Sequence, residues 1–237
     1  YSNRLTKYGI LTEVSATLRS SIARFTFPKG RANVLLNLGE GLTNESGATV
    51  RYVSDTEIEG SKLLGTFCYN NPQAVYPLYF VLRINRRPQQ RGFWKQQRPM
   101  TAEAEWEPYA GKRKLYPNFH REISGDDIGA YFSFDAEEGE QIEVQIGVSF
   151  VSTANARENL QHEQPQGTHF ADVRQAAERI WEEALSVATV EGGTPDQRTI
   201  FYTALYHAQL HPNILQDVNG EYPEMQTGIT RRASGDR

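Results

Sequence analysis

The residues best suited to chemistry in this 237-residue chain gather late, in "HPNILQDVNGEYPEM" over 211–225. Asp217 and Asn219 supply oxygens and Gly220 a sharp bend, as in fragments of calcium loops, but the remaining ligands of an EF-hand are missing. The same letters suit an ordinary Asn-Gly turn. Just upstream, His207 and His211 are four apart, the spacing of a zinc pair. The intervening "HAQLH" lacks the glutamate that a metalloprotease uses as base, so both read as polar core or helix-face residues. A second chemical stretch is "RINRRPQQRGFWKQQR" over 83–98, six basic residues with Phe93 and Trp94 among them and no acid. Basic residues interleaved with rings are the composition of a surface that grips a nucleic acid strand. They equally describe a solvated loop balanced by the acids of "TAEAEWE" that follows, and Trp94, Trp106 and Tyr109 have the flat rings that stack on a pyranose.

Other nucleophile and phosphate motifs are incomplete. "NESGATV" and "ISGDD" do not form the strained G-x-S-x-G turn of a serine hydrolase. "GEG" at 39–41 lacks the third glycine and following helix of a phosphate-cradling loop. Asn44-Glu45-Ser46 is a glycosylation sequon, a pattern frequent by chance. Carboxylates for glycoside hydrolysis are plentiful, but a pair set across a sugar bond is a spatial feature. The residues alone assemble no complete active site and no metal-ligand set.

The elements that must position these groups change character along the chain. "ILTEVSATL" over 10–18 alternates, with Ile10, Val14, Ala16 and Leu18 on one parity, as a half-buried strand does. "SIARFTFP" follows as its partner and ends at Pro28. Further strands are expected at 33–38, 49–53, 57–69 and 76–84, then at 128–134 and 141–151 joined by the acidic turn "DAEEGE"; the last puts Ile142, Val144, Ile146, Val148 and Phe150 on one face. Many short antiparallel strands with turns between them predict a β-sandwich. After Val151 the period becomes helical: "TANARENLQHE", then a helix from Thr168 with a buried stripe of Phe170, Val173, Ala177, Ile180, Trp181, Ala184 and Leu185. A third helix has Thr194 as N-cap, Pro195 at its first position and Gln197 completing a capping box, and is expected to run to about His211 before Pro212.

Composition fits one large folded domain or two small ones: 38% hydrophobic and 23% charged residues, far from disordered or disulfide-rich chains. Twenty-five basic against 29 acidic residues give a net charge of −4, which creates no global field for nucleic acid or an anionic membrane. The single cysteine, Cys68, excludes an internal disulfide. No apolar run is long enough for a transmembrane helix. The chain opens at Tyr1 without a leader and closes at "ASGDR" inside an unfinished element, so the expectation is a piece of a longer protein whose signal peptide would lie upstream.

Three segments, "VSFVSTANARENLQHE" (148–163), "ADVRQAAERIWEEAL" (171–185) and "FYTALYHAQLHPNILQDVNGEYPEM" (201–225), closely resemble the glycoside hydrolase family 92 exo-α-mannosidases. "YGILTEVSATLRSSIARFTFP" (8–28) and "GTFCYNNPQAVYPLYFVLRINRRP" (65–88) resemble strands of that family's sandwich, so the likeness covers most of the chain outside a loop from about 92 to 125. The resemblance implies a mainly β chain with C-terminal helices: an antiparallel β-sandwich of the galactose-mutarotase-like supersandwich kind over 1–151, linker helices over 152–193, and the start of an (α/α)6 catalytic barrel over 194–237. It also implies a calcium-dependent, inverting exo-α-mannosidase acting on mannose-containing glycans, secreted or periplasmic, with the rest of the catalytic domain as partner. Catalytic acid and base, and most calcium ligands, are expected outside this chain, which is expected to be inactive alone; no catalytic or metal-binding residue is placed on any position here. Candidate sugar-contacting residues are Asp217, Tyr222 and Trp94. Where the family loop often continues with a Gly-Met-Asp type sequence, this chain has Pro223, Glu224, Met225 and Gln226. The rival of a different class is a non-catalytic carbohydrate-binding sandwich using exposed Trp94 and Trp106, with a nucleic-acid binder based on 83–98 third.

Overall fold

A strand with apolar residues on one parity and small or polar residues on the other can face a core with one side and helices with the other, and residues 140–149 build such a strand. The computed structural model describes residues 1–39, 45–65, 75–96, 113–118, 122–211, 213–224 and 227–233. Asn44, Cys68, Arg98, Trp106, Tyr109 and Pro212 of the sequence reading lie outside them. In chain order the strands are β1 (Ser2–Leu5), β2 (Ile10–Ala16), β3 (Ser20–Phe27), β4 (Gly30–Asn37), β5 (Glu45–Tyr52), β6 (Glu57–Leu64), β7 (Tyr76–Ile84), β8 (Gln90–Gln96), β9 (Arg113–Pro117), β10 (Glu122–Gly125), β11 (Ile128–Ala136) and β12 (Glu140–Ser149). Helices α1 (Thr153–Glu163), α2 (Phe170–Leu185) and α3 (Pro195–Ala208) follow, then the short hairpin β13 (Glu221–Pro223) and β14 (Thr230–Arg232).

Two antiparallel sheets form the sandwich. The larger has the order β1-β2-β3-β12-β7-β6-β5-β10 and the smaller β4-β11-β8-β9. Their facing sides share one core, in which Phe27, Val50, Ile58, Phe80, Leu82, Ile142 and Val144 of the large sheet meet Val34, Phe93, Ala130, Phe132 and Phe134 of the small one. Tyr52 crosses this core: its hydroxyl lies 2.9 Å from the Tyr131 carbonyl and 3.0 Å from that of Gly92, and the Gly92 N–H donates to it at 3.2 Å. Burial, the dominant influence, pushes its phenol far above the ordinary value, so it stays a neutral donor.

The outer side of the large sheet carries the helices. Val81 of β7 packs under Ala156 and Leu160 of α1, and Ile22 of β3 under Phe170 and Val173 of α2. Gly147 of β12 lets α1 approach, because a Cβ there would stand 2.5 Å from the Ala156 carbonyl oxygen and 2.5 Å from the Leu160 Cβ.

"DAEEGE" joins β11 to β12 as expected, and it carries the chain from one sheet to the other: β12 pairs with β3 and β7, whereas β11 pairs with β4 and β8. Three expectations need correction. Residues 90–96 are no solvated loop but the strand β8, whose Gly92, Phe93 and Trp94 are buried; its Arg91 pairs with Asp55 in the β5–β6 turn, remote in sequence. The α2 stripe is only half buried, since α2 covers β2 and β3 with its first turns and runs past the sheet edge, leaving Ile180 65% exposed. Finally, α3 ends at Ala208, as the last turn tightens: Gln209 and Leu210 donate to the carbonyls of Tyr206 and His207, three residues back. Because His211 lies beyond the helix, it does not share a helix face with His207.

Replacing Tyr52 with Phe strands the buried Gly92 N–H without its hydroxyl partner. The expected cost is about 1–3 kcal/mol in urea-unfolding free energy; an unchanged unfolding midpoint would show that the hydroxyl does not tie the two sheets.

Candidate functional site

The chemistry-bearing loop sits where β12 hands over to α1. Ser149 ends β12, and its hydroxyl accepts from the N–H groups of Val151 (2.9 Å) and Ser152 (3.3 Å). Ser152 then caps α1, its hydroxyl accepting from Asn155 N–H at 3.1 Å. This compact corner aims Asn155 and Asn159, one helical turn apart, at the loop 217–221.

Asp217 is 3% exposed, and its carboxylate is met from three sides. Ser149 Oγ donates to Oδ2 at 2.7 Å, Asn155 Nδ2 to Oδ2 at 2.9 Å, and Asn159 Nδ2 to Oδ1 at 2.6 Å. Such charge-assisted bonds offset the desolvation of a buried carboxylate. Asn155 Nδ2 also donates to Glu221 Oε2 at 2.9 Å, and Asn159 Oδ1 accepts from Val218 N–H at 3.0 Å. Within the loop, Gly220 N–H closes a turn onto the Asp217 carbonyl at 2.9 Å. Gly220 has φ 88°, a left-handed conformation that glycine adopts without penalty. Glu221 N–H donates to Asn219 Oδ1 at 2.9 Å.

A second anchor holds the other side of the loop. Glu163, at the end of α1, accepts from the N–H of Arg19 (2.9 Å), from its guanidinium (3.1 Å), from Ser20 Oγ (3.0 Å) and from Thr17 Oγ1. Arg19 Nε in turn donates to the carbonyl of Gln216. The β2–β3 turn, the end of α1 and the loop are therefore one hydrogen-bonded unit.

The three sequence candidates do not come together. Asp217 is committed to the structural bonds just described. Tyr222 is half-buried on β13, opposite Arg231 of β14. Trp94 lies in the small sheet, 4% exposed, with its indole N–H 3.3 Å from the Leu36 carbonyl and the Arg113 guanidinium 5.1 Å above its ring. It is not the exposed platform expected for sugar stacking. Among the described residues no three histidine, cysteine or carboxylate side chains converge on a metal position.

Four residues of the basic run pair with acids that the sequence places far away. Arg83 pairs with Glu57 (2.8 Å), Arg87 and Arg91 with Asp55 (2.8 and 3.2 Å), and Arg86 with Glu140. The expected balancing segment "TAEAEWE" lies outside the described residues.

Residues that the sequence reading missed turn out to organise this region. Arg157 of α1 reaches both Glu57 and Glu59 of β6, each also paired with a strand arginine, Arg83 or Arg51. Burial alone would raise the Glu59 carboxyl, but the hydrogen bonds and charges of Arg51 and Arg157 outweigh it and hold the group below its usual 4.5. The only sequence signal for the loop clamp is the Asn-x-x-x-Asn spacing in "NARENL", on a helix with few apolar residues.

The sandwich with helices on one sheet, closed by an asparagine-clamped loop, is the join between two domains of one hydrolase family. The profile of the glycosyl hydrolase family 92 N-terminal domain matches residues 1–149, and that of the family's catalytic domain matches residues 155–236. The chain belongs to glycoside hydrolase family 92. Among solved structures it is similar to the family GH92 α-mannosidase BT3965 from Bacteroides thetaiotaomicron, at 27% identity and TM-score 0.81 over 99% of this chain and 29% of that one. The same protein has also been solved in complex with mannoimidazole. The inverting mannosidase BT2199 of the same organism shares the fold at 21% identity, TM-score 0.78, over 100% of this chain and 29% of that one. The chain thus spans under a third of the length of these relatives. No curated protein matches it significantly.

The Arg157 clamp has a pH signature. A carboxyl held below its unfolded value contributes stability that is fully present above the unfolded pKa and is lost as pH falls through the folded one. Unfolding free energy is therefore expected to fall as pH drops below about 4.5, the ordinary glutamate value. Arg157→Leu is expected to lower it by about 1–2 kcal/mol at neutral pH and to flatten that acid slope. Equal slopes in variant and wild type would remove the clamp as their source.

Proposed function

We propose that this chain is part of an exo-α-mannosidase that removes terminal mannose from glycans, and that it supplies part of the β-sandwich, the linking helices and the start of the catalytic barrel. The observation that carries the reading is the order of the two family 92 matches, N-terminal domain then catalytic domain, across nearly the whole chain. The mannosidase neighbour at 27% identity, whose mannoimidazole complex is known, supports the substrate class.

The proposed chemistry is displacement with inversion. A carboxylic acid protonates the leaving oxygen while a carboxylate on the opposite face activates water, the two about 6.5–9.5 Å apart. Both groups are assigned to the remainder of the catalytic domain, the buried Asp217 being engaged by three donors. Calcium, a hard cation suited to sugar hydroxyls and oxygen ligands, is proposed for the whole enzyme. Most of its ligands are proposed to lie in the remainder of the catalytic domain. Export to the periplasm or the exterior, where such glycans are met, belongs to the same reading. The carbohydrate-binding alternative needs exposed rings, and the burial of Trp94 under Arg113 counts against it.

The test is mannose release from α-1,2-, α-1,3- and α-1,6-mannobiose by the full-length protein and by residues 1–237 alone, with the product anomer followed by NMR. The expected result is turnover in the full-length protein only, lost on chelation, with β-mannose as first product. No mannose from any linkage with the full-length protein would overturn the mannosidase reading; turnover by the short chain would place acid and base within it.

A further inference from the structure

Two carboxylates share one amide nitrogen at the domain join. Asn155 Nδ2 lies 2.9 Å from Asp217 Oδ2 and 2.9 Å from Glu221 Oε2. Its Oδ1 is occupied by the Ser152 hydroxyl at 2.7 Å, which fixes which way the amide points. The catalytic-domain match begins at this same residue. We propose that Asn155 is a positioning residue of the mannosidase: by holding Asp217 and Glu221 side by side it fixes the turn 217–220 against α1 and sets how the catalytic domain seats on the sandwich.

The chemistry of the position is selective. The side chain must be neutral, must offer two hydrogens to two anions and must carry an acceptor for Ser152, and it must be short enough to stay on the first turn of α1. Serine has one hydrogen to give; glutamine is a methylene too long; aspartate would be a third anion. Glu221 has little else to neutralise it: Asn219 Nδ2 is 3.4 Å from Oε2, and the Arg232 guanidinium is 3.9 Å from Oε1. Asp217 has Ser149 and Asn159 besides Asn155. Losing the Asn155 amide therefore frees Glu221 first, and with it β13.

The charged groups around the position define a test by charge. They are Asp217 and Glu221 on the loop, Glu158 on α1 through Asn219, Arg232 on β14, and Arg19 through the Gln216 carbonyl. Asn155→Asp keeps the shape and removes both donated hydrogens at neutral pH; once the introduced carboxyl takes up a proton in acid, it can donate one of the two again, so recovery is partial. Asn155→Ala removes the donor at every pH.

The experiment uses the full-length protein and two readouts. Hydrogen-exchange protection factors of the Gly220 and Glu221 amides report the turn, and kcat and KM for mannobiose, as ratios to wild type at each pH, report the catalytic domain. For Asn155→Asp at about pH 7.5 we expect protection lowered about tenfold and kcat/KM lowered about tenfold, mostly in kcat, both returning to within about threefold of wild type at about pH 5. Asn155→Ala should show a smaller loss that does not recover in acid. If Asn155→Asp matches wild type throughout, Asn155 only fills space; if the two variants show the same pH-independent loss, a hydrogen donated from this position is not what holds the turn; either outcome sinks the proposal. The activity arm rests on the mannosidase reading, whereas the exchange arm does not. A wild type that cleaves no mannoside would therefore sink that reading while protection of the turn still decides the role of Asn155.

Discussion

A buried anion must be surrounded by donors, and at the Asp217 carboxylate this requirement organises the rest of the join. Left uncompensated, a carboxylate at 3% exposure would cost several kcal/mol. Its donors come from Ser149 at the end of β12 and from Asn155 and Asn159 of α1, so the loop can be buried only where strand and helix already stand at the right angle. That angle depends on Gly147, whose missing side chain is the space α1 occupies. One residue of the catalytic-domain segment thus reads the packing of the N-terminal domain through hydrogen bonds alone.

The helix is docked mainly by charge and hydrogen bonding, since α1 contributes only Ala156 and Leu160 to apolar packing with the sheet. The sheet prepares for it with cross-strand ion pairs in direct register: Glu13 opposite Arg24, Arg51 opposite Glu59, and Glu57 opposite Arg83. Pairs of this kind stabilise adjacent strands modestly. Here the β6 carboxylates have a second use, because Arg157 spans both. A polar interface of this sort is directional: an apolar patch tolerates sliding, whereas a guanidinium held by two carboxylates fixes position along the strand.

The sandwich could be read from the sequence because its information is local. The strand expected at 76–84 is β7 with the same bounds in the structure, and the Thr194 capping box starts α3 where expected, with Gln197 N–H donating to Thr194 Oγ1 at 3.2 Å. The candidate site could not be read in the same way, because its bonds are long-range. Asn155 and Asn159 meet Asp217 across 62 and 58 residues, and no period along the chain encodes that meeting. The basic run misled for a related reason. Its arginines look unbalanced beside one another, yet Arg91 and Arg83 are paired to acids 36 and 26 residues away, across strands. Charge patterning within a segment is a poor guide when the segment is a strand whose neighbours are distant in sequence.

Helix α3 shows what local specification leaves undone. Its cap, proline and first-turn acid define its start as fully as a helix start can be defined, yet none of its residues is buried. Ile200 is 68% exposed; Phe201 and Tyr206 are also exposed, as is Leu210 just past the helix end. Its footing on the structure is narrow: the Tyr206 ring lies 4.6 Å from that of Trp181 on α2, and Gln209 Nε2 donates to the Ala184 carbonyl at 3.2 Å. A helix of 14 residues is marginal in water on propensity alone. Its apolar side chains therefore call for packing partners, and under the proposed reading these are the further helices of the catalytic barrel. Asp217 and α3 then divide the work of the join: the buried carboxylate ties the catalytic segment back to the sandwich, and under the proposed reading the uncovered face of α3 is where those further helices pack.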